Sequence, residues 1–237
     1  MSGHSKWSTI KHKKAMLDSR RGQLFTKLAR AITVAVREGG GDVGTNFKLR
    51  LIVDKARQFN VPKKNIERAI ERGTGQGGEG LLEALYEGFG PGRIAVMVEV
   101  VTDNKNRTAA EIKKVFERSG GSLGQPGSVG FLFDKKGKIL VERVGDKEEQ
   151  MLKLIDLGAE DVETEEEGIE MLVEPSKLSA VRVAVEAAGF KVKAAELIYV
   201  AKDLLKLAKE QKAKAIKFLE IIDDLDDVQN LYTNLDV

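Results

Sequence analysis

The sequence predicts a multidomain α+β protein, with an N-terminal three-helix domain followed by two α/β ferredoxin-like domains, the last inserted into the middle one. Its 237 residues suggest more than one domain, at about 150 residues per domain. Apolar residues recur at helical spacing before residue 75, and strand-like runs alternate with helical ones afterwards. From residue 138 to residue 200 the predicted order is β-α-β-β-α-β, which is typical of a ferredoxin-like domain.

Three short amphipathic helices are predicted in residues 1–75. In each of them apolar residues recur every three or four positions. Glycines end the first and third helices, and a proline suits the first turn of the third. Joined by short links, the helices are expected to form a small bundle. The segments are Leu24–Ala35 before Gly39–Gly41, Leu49–Ala56, and Pro62 to Gly73.

A discontinuous middle domain is predicted from residues 81–134 together with 204–237. The glycine-rich stretch 73–80 before it is typical of a flexible linker. The C-terminal segment offers only a helix and a short strand, which have no sheet of their own and are expected to join the sheet of the first segment. The predicted elements are strand 94–101, helix 108–119, strand 129–133, helix 204–222 and strand 228–232.

The inserted domain is predicted over residues 135–203. Glycines close both of its helices, and a turn at 166–168 separates its two central strands. The predicted elements are strand 139–144, helix 147–157, a strand near Val162, strand 169–173, helix 178–188 and strand 192–200.

Charge is distributed unevenly along the chain. Residues 1–75 contain 17 Lys and Arg against 6 Asp and Glu, a balance of +11, whereas the remainder contains 22 against 31, a balance of −9. Such asymmetry favours a polyanionic partner for the basic part. The alternative is that the two sets of charges attract each other within the fold.

The candidate phosphate contacts lie in the basic arm 1–20 and on the first helix. Affinity for a phosphate backbone requires cations displayed together. Trp7 lies among them and could stack on an exposed base; the alternative is that it packs on the bundle and holds the arm in place. The cations are Lys6, Lys11, Lys13, Lys14, Arg20, Arg21, Lys27 and Arg30.

Enzyme chemistry finds little support in the composition. Cysteine is absent, and the two histidines, His4 and His12, lie in the basic arm without a carboxylate at useful spacing. Gly75, Gly77 and Gly80 match G-x-G-x-x-G but follow a helix, whereas a dinucleotide site requires a preceding strand. The acidic run 223–227 is more typical of a solvated turn than of a Mg²⁺ site. We therefore expect no enzyme, no metal and no cofactor.

The sequence also bears on location and partners. The first residues lack the apolar core of a signal peptide, and no apolar run is long enough to span a bilayer. We therefore expect a cytoplasmic protein with no membrane partner and no small-molecule substrate.

A set of motifs along nearly the whole chain resembles the YebC/PmpR family. Residues 135–205 are the least distinctive part. The matching stretches are His4-Ser5-Lys6-Trp7, Ile10-Lys11-His12-Lys13-Lys14, Asp18, Arg21-Gly22, Phe25-Thr26-Lys27-Leu28, Gly40-Gly41-Asp42, Leu49-Arg50, Pro62, Ile66-Glu67-Arg68-Ala69-Ile70, Gly73-Thr74-Gly75, Tyr86-Glu87-Gly88-Phe89-Gly90-Pro91-Gly92, Thr102-Asp103-Asn104-Lys105-Asn106-Arg107-Thr108, Gly120-Gly121-Ser122-Leu123-Gly124, Asp226-Asp227-Val228-Gln229-Asn230 and Tyr232-Thr233-Asn234.

The resemblance implies three domains and a role in gene expression. Family members are described as DNA-binding transcriptional regulators, and others, including a mitochondrial relative, as translation factors acting at the ribosome. Either role would use the basic arm and helices, including His4, His12 and Arg50. This chain departs from the family pattern at Val43, where proline is usual, and at Lys48, where arginine is usual and could make a bidentate phosphate contact.

The leading prediction is a nucleic-acid-binding regulator of the transcriptional kind. The alternative is a ribosome-associated translation factor that binds ribosomal or messenger RNA. RNA is favoured by the absence of a recognisable helix-turn-helix and by the acidic character after residue 80. A protein-interaction scaffold is a third, different class.

The polar loop 102–108 carries two further candidates. Asn106 or Thr108 could cap the following helix. Asn104 and Arg107 could instead present hydrogen bonds to nucleic acid or to the ribosome. In that case Arg107→Ala is expected to weaken association without lowering thermal stability.

Overall fold

The computed structural model describes residues 18–75 and 80–236, with only the backbone for residues 18–20. The chain forms two compact units, one of Lys135–Tyr199 and one built from the segments up to Asp134 and from Val200. Helices and two four-stranded sheets make up the fold. The predicted mixed helix and sheet class is therefore confirmed.

The elements are named here in chain order. The helices are α1 (Asp18–Gly39), α2 (Phe47–Gln58), α3 (Lys63–Thr74), α4 (Lys105–Arg118), α5 (Lys147–Asp156), α6 (Leu178–Ala187) and α7 (Lys209–Asp223). The strands are β1 (Leu82–Phe89), β2 (Ala95–Thr102), β3 (Ser122–Leu123), β4 (Phe133–Val141), β5 (Asp161–Glu165), β6 (Gly168–Val173), β7 (Val192–Ala201) and β8 (Val228–Thr233).

Helices α1, α2 and α3 pack around one apolar core, as their helical spacing predicts. The amide of Asn46 fixes the entry to α2: its Oδ1 accepts from Leu49 N at 3.0 Å, and its Nδ2 donates to the carbonyl oxygens of Ala35 and Gly40 at 2.7 and 2.8 Å. One buried side chain thus caps α2 and satisfies carbonyl groups at the end of α1.

The third helix does not stop at Gly73, contrary to the prediction. Gly73 lies inside α3, and a Cβ at this position would approach the Cβ of Val36 in α1 to 2.6 Å. Here the glycine allows two helices to approach closely and does not end one. Pro62, predicted in the first turn, is the N-cap residue before Lys63.

The first sheet has the strand order β3-β1-β2-β8, and its long neighbours pair antiparallel. Helices α4 and α7 cover one face, where Phe116 and Phe218 meet edge to face with ring centroids 4.9 Å apart. Helix α1 also contacts β2 and β8. Because α4 and α7 occupy the face of Val96 and Val98, α1 lies against the opposite face, which carries Met97 and Glu99.

The second sheet has the strand order β5-β6-β4-β7. Along the chain, α5 connects β4 to β5 and α6 connects β6 to β7, so the elements follow the predicted order β-α-β-β-α-β. Its buried residues include Ile139, Leu154, Met171 and Val185.

Several predicted boundaries are wrong. The expected strand at 129–133 is a single 3₁₀ turn, Gly130–Leu132, followed by β4, which belongs to the second sheet. The expected helix from residue 204 begins only at Lys209. Strand β1 is missing from the predicted elements, because an exposed start and a glycine blur its alternation. In the described part of the chain, no helix is long and apolar enough to cross a membrane.

Candidate nucleic-acid interface

The predicted contacts in the arm lie outside the described residues. They are His4, Lys6, Trp7, Lys11, His12, Lys13 and Lys14. Arg20 lies in the first turns of α1, but its side chain is also outside the described part. The candidate interface is therefore described through the cations of the three helices and of the 102–108 loop.

Arg21 is an exposed cation near the start of α1. Its guanidinium carbon lies 5.9 Å from the centroid of the Phe25 ring, one turn further along the helix. This contact is a cation–π interaction at the surface. Arg21 therefore remains accessible to a phosphate.

Lys27 and Arg30 point from α1 towards the acidic turn at the end of α7. The Lys27 Nζ donates to the carbonyl oxygen of Asp223 at 2.5 Å. The Arg30 guanidinium donates to the carbonyl oxygen of Asp226 at 3.2 Å and to the Asp227 carboxylate at 2.7 Å. The acidic run, expected to be a solvated turn, thus binds two of the candidate cations.

The Asp227 carboxylate receives hydrogen bonds from three side chains on two helices. Besides Arg30, the Arg107 guanidinium donates to its Oδ2 at 3.0 Å and the Thr108 hydroxyl donates to the same atom at 2.6 Å. The Asp227 side chain is 5% exposed, whereas those of Arg30 and Arg107 are 31% and 45% exposed. We call these four residues the Asp227 cluster; it joins α1 and α4 to the turn before β8.

The electrostatics of this cluster follow from its contacts. Burial acts to raise the pKa of the Asp227 carboxyl, but the hydrogen bonds from Thr108, Arg107 and Thr102 outweigh it and hold that pKa below its ordinary value. Asp227 is therefore ionised at neutral pH. Its charge keeps the two guanidinium groups in place.

The loop before α4 is organised by Asn104, which is the helix cap. Its side chain accepts from Arg107 N at 3.1 Å. The expected caps, Asn106 and Thr108, are wrong: both lie inside α4, and the Thr108 hydroxyl is buried between Thr102 and Asp227. Arg107 also pairs with Asp103 at 2.8 Å.

Arg50 and Lys48 in α2 both have partners within the chain. The Arg50 guanidinium donates to the carbonyl oxygens of Val43, at 3.0 Å, and of Gly44. Lys48 Nζ lies 2.8 Å from Glu38 in α1 and 2.7 Å from Glu83 in β1. Burial acts to lower the pKa of Lys48, and the two carboxylates outweigh that effect and raise it. In this chain Lys48 joins α2 to α1 and β1.

Helix α3 offers an outward set of cations that is absent from the predicted contacts. Lys64, Arg68 and Arg72 follow one another every four residues and are exposed, so they lie on one side of the helix. The opposite side, with Ile66, Ala69 and Gly73, is buried. We call these three cations the α3 basic face. Their spacing of four residues is visible in the sequence and could have predicted this face.

The described residues contain no group of three or more His, Asp or Glu side chains placed to hold a metal ion. The described site thus consists of cations and hydrogen-bond donors. Arg21 and the α3 basic face are directed outward, and the Asp227 cluster holds further cations half-exposed.

This geometry defines a mixed helix and sheet protein with a basic helical part. Comparison with known proteins identifies the family. Residues 5–76 match the model of the TACO1/YebC protein N-terminal domain, and residues 81–235 match that of the TACO1/YebC second and third domain. The chain belongs to the TACO1/YebC family. The predicted resemblance is thereby confirmed.

Relatives of known sequence and a solved structure agree with this family assignment. A probable transcriptional regulatory protein of Caldanaerobacter subterraneus is 48% identical over 240 residues, covering 100% of this chain and 99% of that protein. One from Thermoanaerobacter pseudethanolicus is 48% identical, with 100% and 98% covered. The crystal structure of a conserved hypothetical protein from Aquifex aeolicus superposes with a TM-score of 0.88 at 41% identity, covering 98% of this chain and 96% of that one. Both relatives of known sequence are named probable transcriptional regulatory proteins.

Proposed function

We propose that this protein is a nucleic-acid-binding regulator rather than an enzyme, and that it acts as a DNA-binding transcriptional regulator. The observation that carries the proposal is the balance of +11 over residues 1–75, part of which the α3 basic face displays outward. Cations displayed together bind a phosphate backbone by releasing its condensed counterions. The names of the relatives support the regulatory role.

The proposed contacts fall into two groups. The arm, Arg20, Arg21, Lys64 and Arg68 would bind phosphates directly. Lys27, Arg30, Arg50, Asn104 and Arg107 make contacts within the chain. Their proposed role is to hold the binding surfaces in place, with the half-exposed edges of Arg30 and Arg107 left as further donors to nucleic acid.

We also propose a three-domain arrangement in which residues 135–203 are inserted into a domain of residues 81–134 and 204–237. Strand β8 pairs with β2 although residues 103–227 separate them in sequence, which supports a discontinuous middle domain. The compact unit Lys135–Tyr199 supports the insertion. The helical domain 1–75 completes the proposal.

A ribosome-associated translation factor that binds RNA is the second candidate. Outside residues 1–75 the charge balance is −9, and a duplex lying along this part would be repelled. A site confined to the basic part suits an RNA loop or end, where recognition is local. A pure protein-interaction scaffold would use the cations to bind neither DNA nor RNA.

Reversing Lys11, Lys13 and Lys14 to Glu tests the proposed function. Binding to duplex DNA and to ribosomal RNA fragments is measured across a salt series. We expect weaker binding and a salt slope on DNA smaller by about 0.9 for each phosphate that the variant no longer neutralises. The matched control reverses Lys209, Lys212 and Lys217 of α7, which changes the net charge equally in the acidic part.

Three outcomes separate the candidates. Equal effects of the two triple variants would indicate overall charge rather than a site. Association that is unchanged and insensitive to salt in the arm variant would favour the scaffold. Crosslinking in cells, followed by sequencing of the attached nucleic acid, then distinguishes promoter DNA from ribosomal or messenger RNA.

A further inference from the structure

The half-exposed arginines of the Asp227 cluster are flanked by further carboxylates. Arg107 Nη2 lies 2.8 Å from a carboxylate oxygen of Asp103, whose side chain is 61% exposed. Arg30 donates to the backbone carbonyl oxygen of Asp226, which brings the exposed side chain of Asp226 beside this arginine. The surface around both guanidinium groups is therefore acidic as well as basic.

The charges at this place can be counted from the contacts. Three cations reach the turn between α7 and β8, and five carboxylates lie in that turn or pair with those cations, which gives a local balance of 3 − 5 = −2. We call the five carboxylates the acidic rim. The cations are Lys27, Arg30 and Arg107, and the acidic rim consists of Asp103, Asp223, Asp224, Asp226 and Asp227.

A phosphate that approaches these arginines meets an excess of negative charge. Exposed charges act on one another over about a Debye length, about 8 Å at physiological ionic strength, and neighbouring residues of one turn lie within that distance. The buried Asp227 is held by side chains of α1 and α4 and stays in place. The attraction of the two guanidinium groups for a phosphate is therefore largely offset.

Part of the acidic rim carries charge that the fold does not use. Arg30 contacts Asp226 through its carbonyl oxygen, and among the described residues the Asp226 carboxylate has no hydrogen-bond partner. Asp103 pairs only with the exposed side of Arg107, where such a pair contributes little to stability. The exposed carboxylates of the rim are thus free to act on an approaching ligand.

We propose that the acidic rim limits the nucleic-acid footprint: it weakens phosphate contacts at the Asp227 cluster and directs the phosphate backbone to the arm and to the outer side of α3. The inference rests on the proposed function and adds which cations are held back from the ligand. Specificity uses repulsive elements as well as attractive ones. The half-exposed edges of Arg30 and Arg107 then remain secondary contacts.

The test neutralises the two exposed carboxylates next to the arginines, Asp103→Asn with Asp226→Asn, in the full-length chain and keeps Asp227. Binding to a fluorescent DNA duplex and to an RNA hairpin with the same number of phosphates is titrated across a salt series. We expect about 3- to 10-fold tighter binding at low salt and, on DNA, a salt slope larger by about 0.9 for each phosphate newly contacted. Thermal unfolding should be nearly unchanged, since both side chains are exposed.

The matched control is Asp156→Asn with Asp203→Asn, which removes two exposed carboxylates elsewhere and should tighten binding less. Adding Arg30→Ala to the rim variant should cost more affinity than Arg30→Ala costs in the parent, because the arginine contacts phosphate more closely once the rim is neutral. A rim variant that binds no more tightly than the control refutes the inference. Equal costs of Arg30→Ala in the two backgrounds would also overturn it.

The proposed function has a separate readout. Reversal of Lys11, Lys13 and Lys14 should weaken binding whether or not the acidic rim acts. A loss in that variant without a gain in the rim variant therefore refutes only this inference. If the parent and the rim variant both fail to bind either probe, both proposals fail.

Discussion

The cations of α1 and those of α3 belong to the same basic stretch of sequence but face different surroundings. Lys27 and Arg30 reach the carbonyl and carboxylate oxygens of the turn between α7 and β8. Lys64 and Arg68 are exposed on the outer side of α3. One set stabilises the fold, and the other is available to a ligand.

The difference shows that charge counted along a chain does not reveal what each charge does. The two interpretations of the charge asymmetry concern different helices. Attraction within the fold accounts for the inner side of α1, where the acidic turn is the partner. For the outer side of α3 and for the arm, the proposed explanation is a polyanionic partner.

The largest effect is expected from Asp227→Ala, which tests the structural role of the α1 cations. It removes the carboxylate that two guanidinium groups and one hydroxyl share. We expect a loss of about 3 kcal/mol in the free energy of unfolding, because the buried Thr108 hydroxyl and two half-exposed guanidinium groups all lose their shared buried acceptor. Urea denaturation measures it. Asp226→Ala is the control, since Asp226 is exposed and contributes only its carbonyl oxygen; a loss as large as that of Asp227→Ala would contradict the assignment.

The next largest effect is expected from acid. Asp227 and Glu87 both have pKa values below their ordinary ones in the folded chain. Their contribution is therefore fully present above the unfolded-state values of about 4 and is lost as pH falls through the lower folded-state values. As the pH is lowered from 7, the free energy of unfolding should fall less steeply in the double variant Asp227→Asn, Glu87→Gln than in the parent. Identical slopes in parent and variant would show that other carboxylates dominate.

A matched pair of arginine substitutions tests the difference between α1 and α3 directly. Arg30→Ala should lower the free energy of unfolding by about 1–2 kcal/mol, since it deletes a charge-assisted hydrogen bond. Arg68→Ala should change it by no more than about 0.5 kcal/mol and should instead reduce affinity for nucleic acid. Thermal denaturation and a binding titration on both variants would give this crossed pattern. The reverse pattern would exchange the roles of the two helices.

The smallest effect concerns the start of α4, where Asn104 is the cap and Arg107 lies in the first turn. Asn104→Ala should cost about 1 kcal/mol through loss of the α4 cap. Because Arg107 also pairs with Asp103 and Asp227, Arg107→Ala is expected to lower both stability and association. Asn106→Ala, inside α4, is the control for the cap and should be close to neutral in a thermal melt.

Much of the local structure could be predicted, and the reasons for the failures are physical. Helical spacing located α1 to α3, and the order of the elements anticipated the second sheet. Gly73 was misjudged because glycine ends a helix and also permits close packing, and only the position of Val36 distinguishes the two. Asp227 resembles part of a solvated turn in sequence because Arg30, its partner, lies 197 residues away along the chain.

Features that depend on neighbours along the chain could be predicted from the sequence: the helical spacing of α1 to α3, the order of the elements between residues 138 and 200, and the partition of charge. Only the three-dimensional structure shows which cations meet carboxylates, and that the buried Glu87 carboxylate accepts hydrogen bonds from the N–H groups of Gly127, Val129 and Gly130. Electrostatic pairing and burial depend on distance through space. A chain that returns its last strand to its first sheet makes that distance unrelated to separation in sequence.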